Sequence, residues 1–591
     1  MIAIGIDLGT SNTLVAAFDN GEPRIIEIEG NTMIPSVICI EETGGNTSIG
    51  KAALDMWAAG DDDDNIFRRW KLKMGEDHII TKFKPGGEKS DEYIITPEEL
   101  TKLMVEYVVK QISDGYDGLQ VESILVTVPH GWRREHPEKC RSTRIAAALA
   151  KLNGKPVNVQ NLTVSEPVAA AAYWLWVTQK NIKSADFIGK TLLVCDVGGG
   201  TFDLSLVLVG DTDKPLDVID AANNNYAGDY VDALLCASIC TKFNQAFNTR
   251  YPSDADEILD KVTTGEIAWI RKWLETCKHD FKETLTLRIE QTINRNKPTE
   301  EVKAVTESFD DPDGNHLQVK MNAEEFIACL EPFYAHGSDL VGTFLGRISS
   351  DKRPYAVVFA GGGSRIYGVR DNIVKPVIEA LFSPEEMQKV LTRIKPNKGK
   401  MEHAIVLGAA LIANGVVTVQ ERILHDIGIV FDIDERFAKG LGLPVNTGKI
   451  LLSPVIKSGC PLPAIAKSSD YGLPLTLLPG EVINIQVVID DDSSAPWIQT
   501  WEVSHTGAKK EQSVEWVAEA DSDGALNLRF RSSKGHEIKI QGKLERRKTG
   551  KASIVIGRTA GEKASPYTRM TPEKLCEAWE RIGRKAWHTM S

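Results

Sequence analysis

Several classes of protein are excluded by what the chain lacks. Among its 591 residues no apolar run approaches the ~20 that a membrane-spanning helix needs, so no membrane partner is expected. The nine cysteines are scattered, with no CxxC pair and no histidine at metal-ligand spacing. That argues against a disulfide scaffold or a zinc site and for a reducing compartment. Cys236 and Cys240, four apart in a helical stretch, read as packing residues. No long basic cluster offsets the formal net charge of −13, which argues against nucleic acid as the main partner. A GxxxxGK[ST] string is absent, so a phosphate loop of that kind is ruled out. The first residues enter a strand pattern without a basic n-region or cleavage site, and a cytoplasmic location is expected. There is neither a short-period repeat nor a low-complexity tract.

What is present is two glycine hairpins far apart in sequence. The first, IGIDLGTSNT, carries Asp7, Gly9, Thr10, Ser11 and Asn12. The second, LLVCDVGGGTFDLSLVLV, carries Asp196, Gly198, Gly199, Gly200, Thr201 and Asp203. Each starts as an apolar strand, ends in an aspartate, turns through Gly and Thr, and returns as a second apolar run. Such a tip has little side-chain bulk and exposes backbone N–H groups and hydroxyls that can converge on a phosphate. The strand-end aspartates supply hard oxygens suited to a hydrated Mg²⁺. One hairpin of this kind is an ordinary Asp-Gly turn; two with one layout suggest clamps closing on a nucleotide from opposite sides.

Length alone suggests three or four domain-sized units. Residues 1 to about 50 alternate strands and turns, and the Asp61–Asp64 run reads as a solvated loop or helix start. A helix is expected from Thr96 to about Asp114, opened by Thr96-Pro97-Glu98-Glu99. SILVTVP reads as a buried strand, Arg141–Leu152 as a helix, VNVQNLTV as a strand and VAAAAYWLW as an alanine-rich helix. Residues 225 to 290 read as mostly helical; AVVFAGGGSRI is a strand and glycine turn, and LGAALIANGVV a further helix. After about residue 420 short strands separated by Gly, Pro and Asp turns take over, the pattern of an antiparallel β-domain. Thr571 to about His588 reads as one terminal helix bearing Trp579 and Trp587. The expected class is therefore α/β: a duplicated domain with a nucleotide in the cleft between its two lobes, then an all-β domain and a short helix.

IGIDLGTSNT, KLKMG, SEPVAAAAY, VCDVGGGTFDLS and FAGGGSRI with LGAAL, in this order, resemble the motifs of the DnaK-type heat-shock chaperones of the actin-like ATPase superfamily. The resemblance implies an actin-like nucleotide-binding domain over 1–420, a linker over 421–427, a β-sandwich over 428–560 and a vestigial helical lid over 566–591. It implies ATP or ADP with Mg²⁺ as cofactors. Lys71 matches the family's catalytic lysine, a point charge able to position water and neutralise the γ-phosphoryl oxygens; alone it reads as one cation of the stretch Arg68, Arg69, Lys71, Lys73. Glu166 matches the acidic residue that holds the metal's water shell with Asp7 and Asp196. Asp203 resembles the aspartate near the attacking water, with Thr201 beside it. Thr10, Ser11 and Asn12, after Gly9, are implied to contact the β- and γ-phosphates, and Gly198 to Thr201 to close the other side. Gly361, Gly362, Gly363 and Arg365 match the turn admitting the adenosine, Glu275 and Lys278 the residues that bond the ribose, and Gly228 a glycine close to it.

The chain departs from the pattern at the nucleoside end. His279 stands where a second basic residue stacks on the base, Lys282 where a small hydroxyl is usual, Glu402 in the usual aspartate position and Ala227 for one glycine of a pair. Pro129 and Arg141 match a proline switch and relay arginine, with an unusually long stretch, HGWRREHPEKC, between them. The linker shows only two aliphatic residues, Ile423 and Leu424, so weak docking is expected. DSDGALNLRF and EVINIQVVID resemble strands of the peptide-holding sandwich. The expected function is an ATP-hydrolysing chaperone that controls polypeptide binding, with a J-domain co-chaperone and an exchange factor as possible partners. The alternative is a nucleotide-gated module holding one dedicated protein partner with little turnover. A metabolite kinase of the superfamily is disfavoured, since such kinases lack an appended sandwich.

Overall fold

A computed structural model describes residues 2–40, 47–59, 65–75, 80–83, 93–116, 120–179, 187–210, 216–263, 266–393, 401–419, 421–423, 426–432, 449–468, 475–477, 482–490, 497–504, 512–532, 544–548 and 568–570. The Asp61–Asp64 run, linker residues Leu424 and His425, and the expected terminal helix with Trp579 and Trp587 lie outside the described residues. The chain divides into two compact units, one of residues 1–132 and 139–420, the other of residues 133–138 and 421–591.

The first unit contains two sheets wired alike. In one, Ile2–Leu8 pairs antiparallel with Asn12–Asp19 and parallel with Val121–Val128, and Glu22–Ile25 extends the hairpin. In the other, Thr191–Val197 pairs antiparallel with Phe202–Leu208 and parallel with Ala356–Ala360, and Asp217–Asn224 extends the hairpin. All seven residues of TLLVCDV are buried, as expected of a strand covered on both faces.

Two alanine-rich helices, Glu166–Gln179 and Ala404–Ala413, share one apolar core with strands of both sheets. Their small side chains have a packing reason. A methyl group placed on Gly408 would run into the backbone carbonyl of Ala169, so the two helix backbones are nearly in contact. A close-packed interior admits no bulkier residue there without displacing one helix. This shared layer ties the two sheets together within the first unit.

Separate cores cover the outer faces. Helix Pro97–Gly115 lays Leu100, Met104, Val105, Val108 and Ile112 on the first sheet, all fully buried at helical spacing. Its start is capped as expected: the Thr96 hydroxyl accepts from the Glu99 N–H at 3.1 Å. On the second sheet lie helices Gly228–Phe247 and Glu331–Gly346, with Phe243, Phe281, Phe309, Phe333 and Phe344 in the core. Cys236 and Cys240 are fully buried within it.

Two local expectations differ from the structure. VNVQNLTV forms only a bridge at Val159 and a two-residue strand, Val164–Ser165. Its amides bond elsewhere: Asn158 Nδ2 donates to Glu122 O at 3.1 Å and Gln160 Nε2 to Ala413 O at 2.8 Å. The helix expected from Arg141 begins at Pro137, a residue suited to a first helical turn, and ends at Leu149.

The second unit is built of strands. A six-stranded sheet runs in the order Leu544–Lys548, Trp497–Ser504, Val482–Asp490, Asp426–Asp432, Lys449–Ile456, Thr568–Met570. In a second sheet, Gln512–Ala520 pairs with Leu526–Ser532 on one edge and with Ala464–Lys467 and Leu475–Leu477 on the other. Ile429, Leu452, Trp516 and Phe530 are among its buried residues. In DSDG, the Asp521 carboxylate accepts from the N–H groups of Asp523 (3.0 Å) and Ala525 (2.9 Å), which fixes the turn into the last strand of that sheet. The first strand starts at Asp426, inside the expected linker. Before it, Glu421 and Ile423 pair with the 459–462 turn: Leu462 N–H donates to Glu421 O and Ile423 N–H to Cys460 O, both at 2.9 Å.

Candidate functional site

The two glycine tips meet at one place in the first unit. A methyl group on Gly199 would collide with Ser11 Oγ, so the second tip lies directly against the first. Each is held from behind. Ser36 Oγ donates to Gly9 O at 2.9 Å and Ser36 N–H to Ser11 O at 2.8 Å. Gly228 N–H donates to Gly198 O at 3.1 Å and Asp229 N–H to Gly199 O at 2.7 Å, so a helix start braces the second loop. Between the tips opens a cavity of about 520 Å³, within the range of small-molecule sites. The third glycine run closes one wall. Gly361 has φ +75, and a side chain there would strike the Asp196 carboxylate and the Val197 carbonyl. That run can press on the strand end only because it carries no side chain.

Charge at this end is unbalanced. Asp7, Glu166, Asp196 and Asp203 line the cavity with Lys71 among them, while Lys278, Lys282 and Arg365 also line its wall. Lys71 is 3% exposed and its Nζ lies 2.9 Å from Glu166 Oε1. Its turn, Trp70–Lys73, is pinned on both sides: Trp70 Nε1 donates to Thr101 Oγ1 at 3.2 Å and Lys139 Nζ to Leu72 O at 2.8 Å. Burial and Glu166 push the Asp7 carboxyl up to about 6 against the opposing pull of Lys71 and the Thr127 hydroxyl. Burial, then Glu166, Asp203 and Asp7, raise Asp196 further above the usual range. Asp203 is pushed up to about 6 by burial, although the Thr201 and Asn223 side chains bond it. Carboxylates raised by one another's charge are those that a cation would return to their ionised form.

At the other end of the cavity the cations are paired with carboxylates. Lys278 Nζ lies 3.8 Å from Glu275 Oε2, His279 lies 3.3 Å from Glu275 and 3.2 Å from Glu283, and Lys282 Nζ lies 2.7 Å from Asp232 Oδ1. Hydrogen bonds to Glu275 and Glu283 raise His279 to about 9. Burial alone would raise Glu275, but the His279 bond, Lys278 and Arg68 hold it down to about 2. Burial outweighs Lys282 at Asp232, which rises to about 6. Arg365 Nη1 donates to Glu402 Oε1 at 3.2 Å, while Glu402 Oε2 is buried without a hydrogen-bond partner, an acceptor left over in the cavity wall.

Of the residues singled out in the sequence, Asp7, Gly9 to Asn12, Lys71, Glu166, Asp196, Gly198 to Thr201, Asp203, Gly228, Lys278, Gly361 to Gly363, Arg365 and Glu402 line the one cavity. Glu275 is not in its wall; its carboxylate instead holds Lys278 and His279 from behind. Sequence reasoning missed Ser36, Thr127, Trp132 and Asp229. Thr127 donates to Asp7 Oδ1 at 2.9 Å, and the Trp132 ring centroid lies 5.6 Å from Lys71 Nζ. A lone buried threonine in the apolar run SILVTVP was a readable signal; the others arrive from distant segments.

No group of three His, Cys, Asp or Glu among the described residues is arranged to ligate a metal directly. No helix among the described residues is long and apolar enough to cross a membrane. A protein-family model described as Hsp70 protein matches residues 3–430, most of the chain.

Proposed function

The chain belongs to the Hsp70 family, and on that premise we propose that it hydrolyses ATP in the cavity between its glycine tips and uses the cycle to control polypeptide binding by its β-unit. Members of this family are ATP-dependent chaperones that bind ATP or ADP with Mg²⁺ and act on polypeptides with co-chaperones. The observation that carries the reading is the set of four carboxylates facing one buried lysine beneath two opposed phosphate-sized loops.

In this reading the N–H groups and hydroxyls of residues 9–12 and 198–201 bind the β- and γ-phosphates from two sides. Asp7, Glu166 and Asp196 would hold a hydrated Mg²⁺, which would neutralise phosphate charge when bound. Lys71, fixed by Glu166, orients the attacking water and takes up charge spreading onto the γ-phosphoryl oxygens. Asp203, raised to about 6 and oriented by Thr201, is matched to accept a proton from that water near neutral pH. Arg365 and Glu402 flank the base, and Lys278, with Glu275 behind it, the ribose. Pro129 is in the cavity wall, four residues before the segment 133–138 that belongs to the second unit. A shift at Pro129 is therefore passed along a short covalent path toward the β-unit, which serves as the substrate-binding sandwich.

The test is ATP turnover by the full chain with and without an unfolded polypeptide. Mg²⁺-dependent turnover that rises with polypeptide supports the cycle. Turnover absent under both conditions, despite nucleotide binding, would leave only a nucleotide-gated binding module.

A further inference from the structure

Arg69, two residues before Lys71, has no part in the reading above. It joins strand Ile66–Arg68 to the Trp70–Lys73 turn in the left-handed backbone region, φ 55, where an arginine is uncommon. Strained residues of this kind persist where the surroundings fix them and concentrate at binding sites. Its guanidinium lies against the second glycine tip. Arg69 Nη2 lies 3.2 Å from the point a Cβ on Gly200 would occupy. Its other contact is long: Nη1 stands 3.7 Å from Asp229 Oδ2, in a pair whose side chains are 40% and 31% exposed. Its Nε is buried with no hydrogen-bond partner. A five-donor group thus stands beside the second glycine tip, next to cavity-lining Gly200, with one weak ion pair and an unused buried donor.

We propose that Arg69 is a second phosphate-binding cation, donating to the γ-phosphoryl group from beside Gly200 while Lys71 approaches from its own side of the cavity. The inference rests on the cavity being a nucleoside triphosphate site, as proposed above. A planar guanidinium takes two phosphate oxygens at once, and such charge-assisted bonds are stronger and shorter than the contact to Asp229. A terminal phosphate draws Arg69 away from Asp229, whereas a diphosphate, ending one group earlier, leaves that pair in place. Arg69 then distinguishes triphosphate from diphosphate, and its charge adds to transition-state stabilisation as an arginine supplied in cis.

The experiment is calorimetric titration of the full chain with Mg²⁺ and either a non-hydrolysable ATP analogue or ADP, alongside single-turnover hydrolysis. Arg69→Ala is expected to weaken the triphosphate analogue at least tenfold, leave ADP within about twofold, and slow single-turnover hydrolysis. Arg69→Lys should recover part of the loss, since it keeps charge but not the planar fork. Asp229→Asn is the control: freeing Arg69 should keep or strengthen the preference for triphosphate. An unchanged triphosphate-to-diphosphate ratio in Arg69→Ala overturns the assignment, as does Asp229→Asn reproducing the arginine loss, because the ion pair would then be all that matters. Wild-type protein giving no heat with either nucleotide would overturn the nucleotide reading and this inference together.

Discussion

The two ends of the cavity solve the problem of buried charge in opposite ways. At the phosphate end Asp7, Glu166, Asp196 and Asp203 outnumber Lys71, and three of them are raised by burial and mutual repulsion. At the end proposed to take the nucleoside, these cations have carboxylates on the same or the adjacent helix: Lys278 and His279 with Glu275, His279 with Glu283, Lys282 with Asp232. The first arrangement is incomplete without a cationic ligand, so ligand binding relieves a cost already present in the empty protein. In the second the cations are already paired, so a ligand there competes with pairs already made. Chemistry and metal dependence should therefore be concentrated at the first end, and the second should tune affinity and stability.

The largest effect should come from removing Lys71, the buried cation paired with Glu166 at the unbalanced end. Lys71→Ala should lower single-turnover ATP hydrolysis by about 10³-fold or more, the scale on which cations at a transferring phosphoryl group act. Nucleotide binding should survive, because the glycine tips and the carboxylates proposed to hold the metal remain. Hydrolysis at the wild-type rate would break the comparison at its centre. A change of intermediate size is expected with pH. Asp7 and Asp203, normally near 3.8, are raised to about 6, so the folded protein binds these protons more tightly than the unfolded chain. Protonation therefore stabilises the ligand-free fold as pH falls through 6 toward 4, and that gain is lost above 6. A cation competes with those protons, so the thermal shift given by Mg²⁺ and nucleotide should shrink as pH falls from 7 to 5. Asp203→Asn should flatten the acid limb of turnover; an acid limb that persists unchanged would assign it to another group.

What was legible in the chain follows from how local each feature is. Asp7 and Asp196 could be placed because each ends an apolar strand before its own glycine turn, within ten residues. The helices of VAAAAYWLW and LGAALIANGVV were readable as helices, but not the reason for their alanines: Gly408 meets Ala169 across 239 positions of sequence. Lys71 and Glu166, 95 residues apart, became a pair only through resemblance to a family, since nothing in either segment announces the other. Ser36 and Asp229 brace the two tips through bonds to backbone, which impose no recognisable spacing. VNVQNLTV misled because its period-two pattern is genuine, yet its amide side chains take backbone partners on neighbouring segments.

The smallest effect belongs to the end whose cations are already paired, and its sign separates it from the other. His279 is raised from 6.5 to about 9 by its bonds to Glu275 and Glu283. A histidine raised on folding contributes stability that is fully present below its unfolded value and disappears as pH climbs through the folded one. The window is thus about 6.5 to 9, above the one in which Asp7 and Asp203 act. Because the His279 side chain is 49% exposed, solvent screening discounts the gain to about 1 kcal/mol or less. His279→Gln should therefore cost a small, constant amount of stability in denaturant titrations below pH 6.5, and the difference from wild type should vanish near pH 9. It should leave the Mg²⁺ dependence and the acid limb of hydrolysis untouched, because the charge it removes is compensated by Glu275 and Glu283 rather than by the carboxylates around Lys71. If His279→Gln instead shifted the acid limb, the two ends would be coupled electrostatically, and treating them as separate charge systems would be wrong.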